Sequence, residues 1–297
     1  MGERRRLRAI LRRCAGLVVA GGLAGLTACA GPNLWTDWTS VSTGHSNGGR
    51  LRHPAKMPTK GEGFEVPKRW AERGNLYGVD ELLDAVQRAA VQVRGADETV
   101  KLGIADVSPL RGGRSRWHRS HQSGRDIDLI FYSVDEEGAS LDPPTLEMIH
   151  YDGEGEAYEP KKVTYEEEGW DARRFDEARN WRLMEALLGD PTIRLQWVFV
   201  SEALKERLLS YATENERPTW AIEYAKVVLR QPADAPPHDD HFHVRIYCSR
   251  ADRFHGCVDR GPVWHHEKKT YKYGGAERYD PVRWRMAVAT PVLAGLH

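Results

Sequence analysis

The sequence predicts an α+β fold, a small and mainly antiparallel sheet flanked by helices, and three observations carry that expectation. Apolar residues recur at helical spacing across 79–93, the stretch DIDLIFY at 126–132 alternates with a period of two, and the later strands and helices follow in an order that suits a sheet backed by helices.

The chain opens with a targeting segment. Arg4, Arg5, Arg6, Arg8, Arg12 and Arg13 form a positive stretch, and the apolar run 15–26 behind it is too short for a convincing membrane span. Leu26, Thr27, Ala28 and Cys29 close the run and resemble the bacterial lipobox, whose cysteine is lipidated and becomes the first residue of the mature chain. That resemblance implies a lipoprotein signal over 1–28 and a periplasmic protein touching a membrane only through the lipid on Cys29. With no aspartate after the cysteine, the expected membrane is the outer one. The alternative is an ordinary cleavable signal with an incidental cysteine, and both readings take the protein out of the cytoplasm. Residues 29–65, rich in Gly, Ser, Thr and Pro, read as a tether and N-terminal arm, and 66–297 as one domain.

The first element of that domain is the 79–93 helix, with Leu82, Leu83, Val86, Ala89, Ala90 and Val93 along one stripe. A strand over 99–107 follows, ended by Ser108-Pro109 and Gly112-Gly113. In 126–132, Ile127, Leu129 and Phe131 fall on one side, with Asp126, Asp128, Ile130 and Tyr132 on the other, so two carboxylates share a face. The acidic, glycine-containing stretch 135–168 with Pro143-Pro144 reads as a surface insertion. Asp176 is placed to N-cap a helix through Trp181, Leu183, Met184, Leu187 and Leu188, stopped by Gly189 and Pro191. A strand at 193–200, helices at 202–212 and 219–229, and a last strand at 242–247 complete the pattern.

Lys plus Arg and Asp plus Glu both number 43, and a chain of zero formal charge offers nothing to recruit nucleic acid or an anionic membrane surface. Oligomeric state is not readable from these residues. Of four cysteines, Cys14 leaves with the signal and Cys29 is set aside for lipid. Cys248 and Cys257 remain, and in an oxidising compartment they are expected to bond, stabilising the fold by about 2–3 kcal/mol on the loop-closure argument. Metal binding by this pair is the rival reading, but the spacing does not suit a zinc knuckle.

The histidines are clustered. His118 and His121 stand just before the alternating strand, and His238, His241 and His243 stand at the start of the last one. A strand projects His241 and His243 from one face while Phe242 and Val244 enter the core. Side by side, the two strands would converge His121, Asp128 and His243, three ligands that leave a fourth tetrahedral position open, as at a catalytic zinc. Asp126 is expected to orient a ligand. Asp239 and Asp240 are divided between a solvated turn after Pro236-Pro237 and a part in the site, and Trp117, Tyr132 and Tyr247 are expected to pack. Nothing pairs with His45, His53, His150, His255, His265 and His266 at a ligand spacing, so they read as ordinary polar side chains.

Two motifs, WHRSHQSGRDID at 117–128 and HDDHFHVR at 238–245, together resemble the penicillin-insensitive murein endopeptidases, which stand with lysostaphin-type and D-alanyl-D-alanine peptidases. Looser similarity runs from about Ser42 through Cys257. The resemblance implies zinc bound by His121, Asp128 and His243, further active-site histidines at His118, His238 and His241, and peptidoglycan stem peptides as substrate, with the D-alanyl to meso-diaminopimelate cross-link as the bond cut. The acidic insertion after Tyr132 departs from the family pattern, so no acidic ligand between Asp128 and the next helix, Asp176 included, is carried over. With no His-Glu-x-x-His helix to supply a glutamate, His241 is the expected acid/base, and His238 with His118 would hydrogen-bond the water or the oxyanion. A D,D-carboxypeptidase or D-alanyl-D-alanine dipeptidase is the runner-up. A non-catalytic peptidoglycan-binding lipoprotein and a periplasmic zinc-storage protein are the readings outside enzymology.

Overall fold

In the computed structural model the described residues are 38–265 and 267, residue 162 apart, so the expected signal segment and Cys29 lie outside them. The elements that position the site are, in chain order, β1 (Val41–His45), β2 (Gly48–Arg52), β3 (Lys60–Gly61), β4 (Phe64–Glu65), α1 (Lys68–Arg73), α2 (Asp80–Arg94), β5 (Leu102–Ile104) and β6 (Asp126–Ile130). They continue with α3 (Glu177–Gly189), β7 (Leu195–Phe199), α4 (Glu202–Glu214), α5 (Thr219–Val228), β8 (Leu229–Arg230), β9 (His241–Ile246) and α6 (Arg250–Phe254).

Among the described residues the main sheet has seven strands in the order β8-β7-β9-β6-β5-β4-β3. The expected antiparallel character holds, with parallel pairing only between β7 and β8 and between β4 and β5. Helix α2 buries Leu82, Leu83, Val86, Ala89, Ala90 and Val93, the predicted stripe, and packs on α3. Helix α3 starts where expected, with Asp176 accepting from the Arg179 amide, and packs on α4 and α5. The apolar side of β6, Ile127 and Leu129, joins this core together with Phe242 and Val244 of β9. Strand and helix ends differ from the sequence reading by a few residues, the usual uncertainty of element ends.

Two segments are more deeply built in than the sequence suggested. From Val41 onward the arm forms the β1–β2 hairpin and supplies β3 and β4 to the sheet, with Leu51, Met57, Phe64 and Val66 buried. β3 and β4 are two residues each, too short to show a period, and β1 and β2 are rich in Gly, Ser and Thr with few apolar residues, so composition alone made this stretch look like a tether. The insertion is corrected likewise: Ile149 and Tyr151 are core residues, and His150–Tyr151 pairs with Ala157–Tyr158 as a small hairpin.

Cys248 and Cys257 are bonded, as expected. The loop they close is tied to β1, since the Gly44 amide donates to the Gly256 carbonyl at 2.9 Å and the Val258 amide to the Gly44 carbonyl at 2.7 Å. Buried Arg125 donates to Asp259 at 3.0 Å and to the Ile246 carbonyl at 2.9 Å, fastening the entry of β6 to the end of β9.

Candidate active site

Strands β6 and β9 lie antiparallel with His243 opposite Asp128, Arg245 opposite Asp126 and His241 opposite Ile130. The register follows from the alternation: Phe242 and Val244 must face the core, which turns His241 and His243 toward the face that carries the two aspartates. The loop before β6 brings His121 over that face. His121 holds a left-handed backbone, φ 60°, a conformation costly for a side-chain-bearing residue. It is held there by the Ser108 hydroxyl, which donates to the His121 carbonyl at 2.6 Å, and by the Gln122 amide, which donates to Ser46 in the β1–β2 turn at 3.0 Å. The hairpin of the arm is therefore part of the scaffold of the site.

His121 Nε2, His243 Nδ1 and Asp128 Oδ1 lie 3.2 Å from one another in all three pairs. Their remaining atoms show what these donors carry. His121 Nδ1 is 2.5 Å from the Val107 carbonyl, which can only accept, so the proton is on Nδ1 and Nε2 presents a lone pair. His243 Nε2 is 2.8 Å from Asp126 Oδ1, which also accepts from Arg245 Nε at 2.6 Å, so Nε2 carries the proton and Nδ1 presents a lone pair. Asp128 Oδ1 is buried and makes no hydrogen bond. Three electron-rich atoms face one another with no proton between them, an arrangement that a cation resolves. A tetrahedral ion bound at about 2.0 Å has ligands about 3.3 Å apart, close to the spacing seen.

The other three histidines surround this triangle. His241 Nε2 is 3.5 Å from Asp128 Oδ1, and its Nδ1 is bonded to Asp240 Oδ1 at 2.6 Å. His118 stacks on His121 with ring centroids 4.2 Å apart, and its Nε2 meets Asp106 Oδ2 at 2.8 Å and lies 3.8 Å from Asp128 Oδ2. His118, His121 and Asp128 thus form a second compact donor group, all within 4.8 Å. The His118 nitrogen is already engaged by Asp106, which also takes Arg73 Nη1 at 2.8 Å, whereas His243 Nδ1 is free of any such partner. His238 lies 5.4 Å from His241 and 6.1 Å from His243 between ring centroids, with Nδ1 buried and unpaired.

Charge follows from these contacts. Burial pushes the Asp126 carboxyl up, but Arg245 and the His243 bond outweigh it and hold the group well below the usual carboxylate range. Burial depresses His241, yet Asp240 and Asp128 raise it well above an ordinary histidine. For His238, burial and the neighbouring His241 and His243 outweigh the weaker pull of Asp128 and Asp240 and take it down to about 4.

The structure brings His118, His121, Asp128, His238, His241 and His243 to one place, and Asp126 stands behind His243 as an orienting partner. Tyr132 and Tyr247 are buried, while Trp117 is 43% exposed with Arg73 and Arg116 stacked on it at 4.3 and 4.1 Å. Asp176 is a helix cap bonded to Arg179. Sequence reasoning missed Asp106 as a site residue, whose one signal was a charge near the end of a predicted strand. It also misjudged His150, which is no isolated side chain, since its Nδ1 meets Asp239 Oδ1 at 2.5 Å. Of the two readings left open for Asp239, its burial rules out the solvated turn.

Residues 42–270 match the family model described as penicillin-insensitive murein endopeptidase. The chain belongs to that family. Among murein endopeptidase relatives, the protein of that name from Haemophilus influenzae is 28% identical over 213 residues, 70% of this chain and 63% of that protein. The penicillin-insensitive murein endopeptidase of Klebsiella pneumoniae subsp. pneumoniae is 24% identical over 253 residues, 81% of each chain. The chain therefore spans a little under two thirds of the Haemophilus protein and about four fifths of the Klebsiella one.

Proposed function

We propose that this member of the murein endopeptidase family is a zinc peptidase that hydrolyses the D-alanyl to meso-diaminopimelate cross-link between peptidoglycan stem peptides. The observation that carries the metal is the set of three proton-free donors, His121 Nε2, Asp128 Oδ1 and His243 Nδ1, mutually 3.2 Å apart. Two imidazoles and a carboxylate at tetrahedral spacing suit zinc better than calcium or magnesium, which take six or more oxygens. When bound, zinc supplies Lewis acidity toward both the peptide carbonyl and the attacking water. The substrate class rests on family membership and on the relatives' names.

The chain's own residues supply the rest. Asp240 holds the Nδ1 side of His241 and leaves Nε2 directed at the donor triangle; with a bound cation offsetting the carboxylates that raise it, this nitrogen would take the proton of the attacking water and return it to the departing amine. His238 is held neutral at pH 7 by burial and by its histidine neighbours, and its ring N–H is assigned to hydrogen-bond the oxyanion. His118, fixed by Asp106, lines the same face. No serine acyl-enzyme is required, so β-lactams leave activity intact. The proposed setting is the periplasm, with a lipid on Cys29 holding the protein to the outer membrane.

Mass spectrometry of muropeptides after digestion of purified sacculi, run beside metal analysis, tests this reading. Cross-linked dimers should fall to monomers with about one zinc per chain. Release of terminal D-alanine alone would make the protein a D,D-carboxypeptidase, absence of turnover would make it a binder, and full activity without metal would end the zinc assignment.

A further inference from the structure

The acidic insertion reaches the site through the side chains of His150 and Tyr158. His150, at the start of the insertion's hairpin, places Nδ1 2.5 Å from Asp239 Oδ1 and Nε2 3.8 Å from Asp240 Oδ2. Tyr158, on the partner strand of that hairpin, donates its hydroxyl to Asp239 Oδ2 at 2.5 Å. The Tyr151 amide donates to the Asp239 carbonyl at 2.8 Å, and the His150 amide to the Tyr165 hydroxyl at 2.9 Å. Both oxygens and the carbonyl of Asp239 are thus gripped by the insertion. The next residue, Asp240, keeps one oxygen near His150 and gives the other to His241 Nδ1 at 2.6 Å.

A second cation site is the competing use for His150, Asp239 and Asp240, whose donor atoms lie within 4.8 Å. The contact distance argues against it. Two ligands of one ion at about 2.0–2.1 Å stand roughly 2.8 Å apart or more, and 2.5 Å is the separation of two atoms that share a proton. With Tyr158 donating to the other oxygen, Asp239 is a hydrogen-bonded anchor.

We propose that His150 is a positioning residue of this peptidase, setting the orientation of His241 through the Asp239-Asp240 pair, and that the insertion exists in the site for this purpose. Two adjacent carboxylates repel each other and follow a loop with Pro236-Pro237, so without the histidine between them the pair swings apart. Asp240 then loses its set on Nδ1, and the Nε2 of His241 is no longer fixed relative to the donor triangle. The proposal rests on the assignment of proton transfer to His241.

A double-mutant cycle on the zinc-loaded enzyme, read as kcat, KM and metal content on a cross-linked muropeptide dimer, tests it. His150→Ala should lower kcat about tenfold to a hundredfold, the usual penalty of a displaced catalytic group, with KM and zinc content close to wild type. In the His241→Ala background the same change should cost nothing further. Tyr158→Phe, which deletes only a hydroxyl and keeps the ring, should move kcat in the same direction by a smaller factor, and His150→Asn should restore much of the rate by keeping a donor near Asp239. Equal losses of kcat in both backgrounds would overturn the proposal, as would loss of zinc in His150→Ala. A silent His150→Ala beside a crippled His241→Ala would overturn it while leaving the role of His241 standing. Should His241→Ala itself turn over normally, the assignment of His241 fails and the proposal goes with it.

Discussion

Replacing Asp126 by asparagine separates the orientation of a ligand from ligation itself. Asp126 is fully buried, and its Oδ1 accepts from both His243 Nε2 at 2.8 Å and Arg245 Nε at 2.6 Å. Its Oδ2 is buried without a partner, so the amide of asparagine would leave an unsatisfied N–H there or, flipped, would present it to two donors. Either way the negative charge that keeps the proton on Nε2, and the lone pair on Nδ1, is gone. Loss of such an outer partner costs about 10–100-fold in metal affinity, or roughly 1.4–2.7 kcal/mol. Arg245, largely buried, also loses its counter-charge, and that should lower folding stability by about 1–3 kcal/mol in the metal-free protein. Zinc affinity measured against a competing chelator, and urea unfolding of the apo form, read the two effects separately. Asp128→Asn is the comparison, because it removes a donor of the triangle and should abolish tight binding. Unchanged affinity in a folded Asp126→Asn would refute the orienting role, and a loss as complete as that of Asp128→Asn would make Asp126 a ligand.

His241→Ala should keep its zinc and lose roughly 10²–10⁴ in kcat, since the proton moves only on the way to the transition state; lost zinc would make it a ligand. Glu81, at the start of α2, is raised by burial and by Asp252 and Asp80 to about 7 from 4.5. Its folded pKa is the higher one, so stability is greatest below pH 4.5 and declines as pH rises through 7; Glu81→Gln should be about 2 kcal/mol more stable than wild type at pH 8, allowing for solvent screening, and equal to it at pH 4. A thermal-unfolding difference that is the same at both pH values would contradict this. Cys29→Ala should move the protein from the membrane fraction to the soluble periplasm, and a wild type found wholly soluble would remove the lipid anchor.

Much of the sheet and of the donor set was legible because it depends on local periodicity. The two-residue rhythm of 126–132 and of His241, Phe242, His243 says which side chains share a face, and a face that carries two aspartates and two histidines cannot be core. What was not legible depends on distance along the chain. His150 and Tyr158 meet Asp239 across 89 and 81 residues, and the acidic composition around them gave no hint of a partner. Asp106 reaches His118 through a turn whose path is set by hydrogen bonds to the β1–β2 hairpin. The left-handed backbone of His121 is likewise a product of those tertiary bonds, not of its own preference.

The most direct test of the metal centre is a crystal structure of the zinc-loaded protein with anomalous scattering recorded at the zinc edge. One peak is expected within about 2.0–2.2 Å of His121 Nε2, the Asp128 carboxylate and His243 Nδ1, with His241 outside bonding distance. A peak held by His118 in place of His243, or none between β6 and β9 in active protein, would contradict the account.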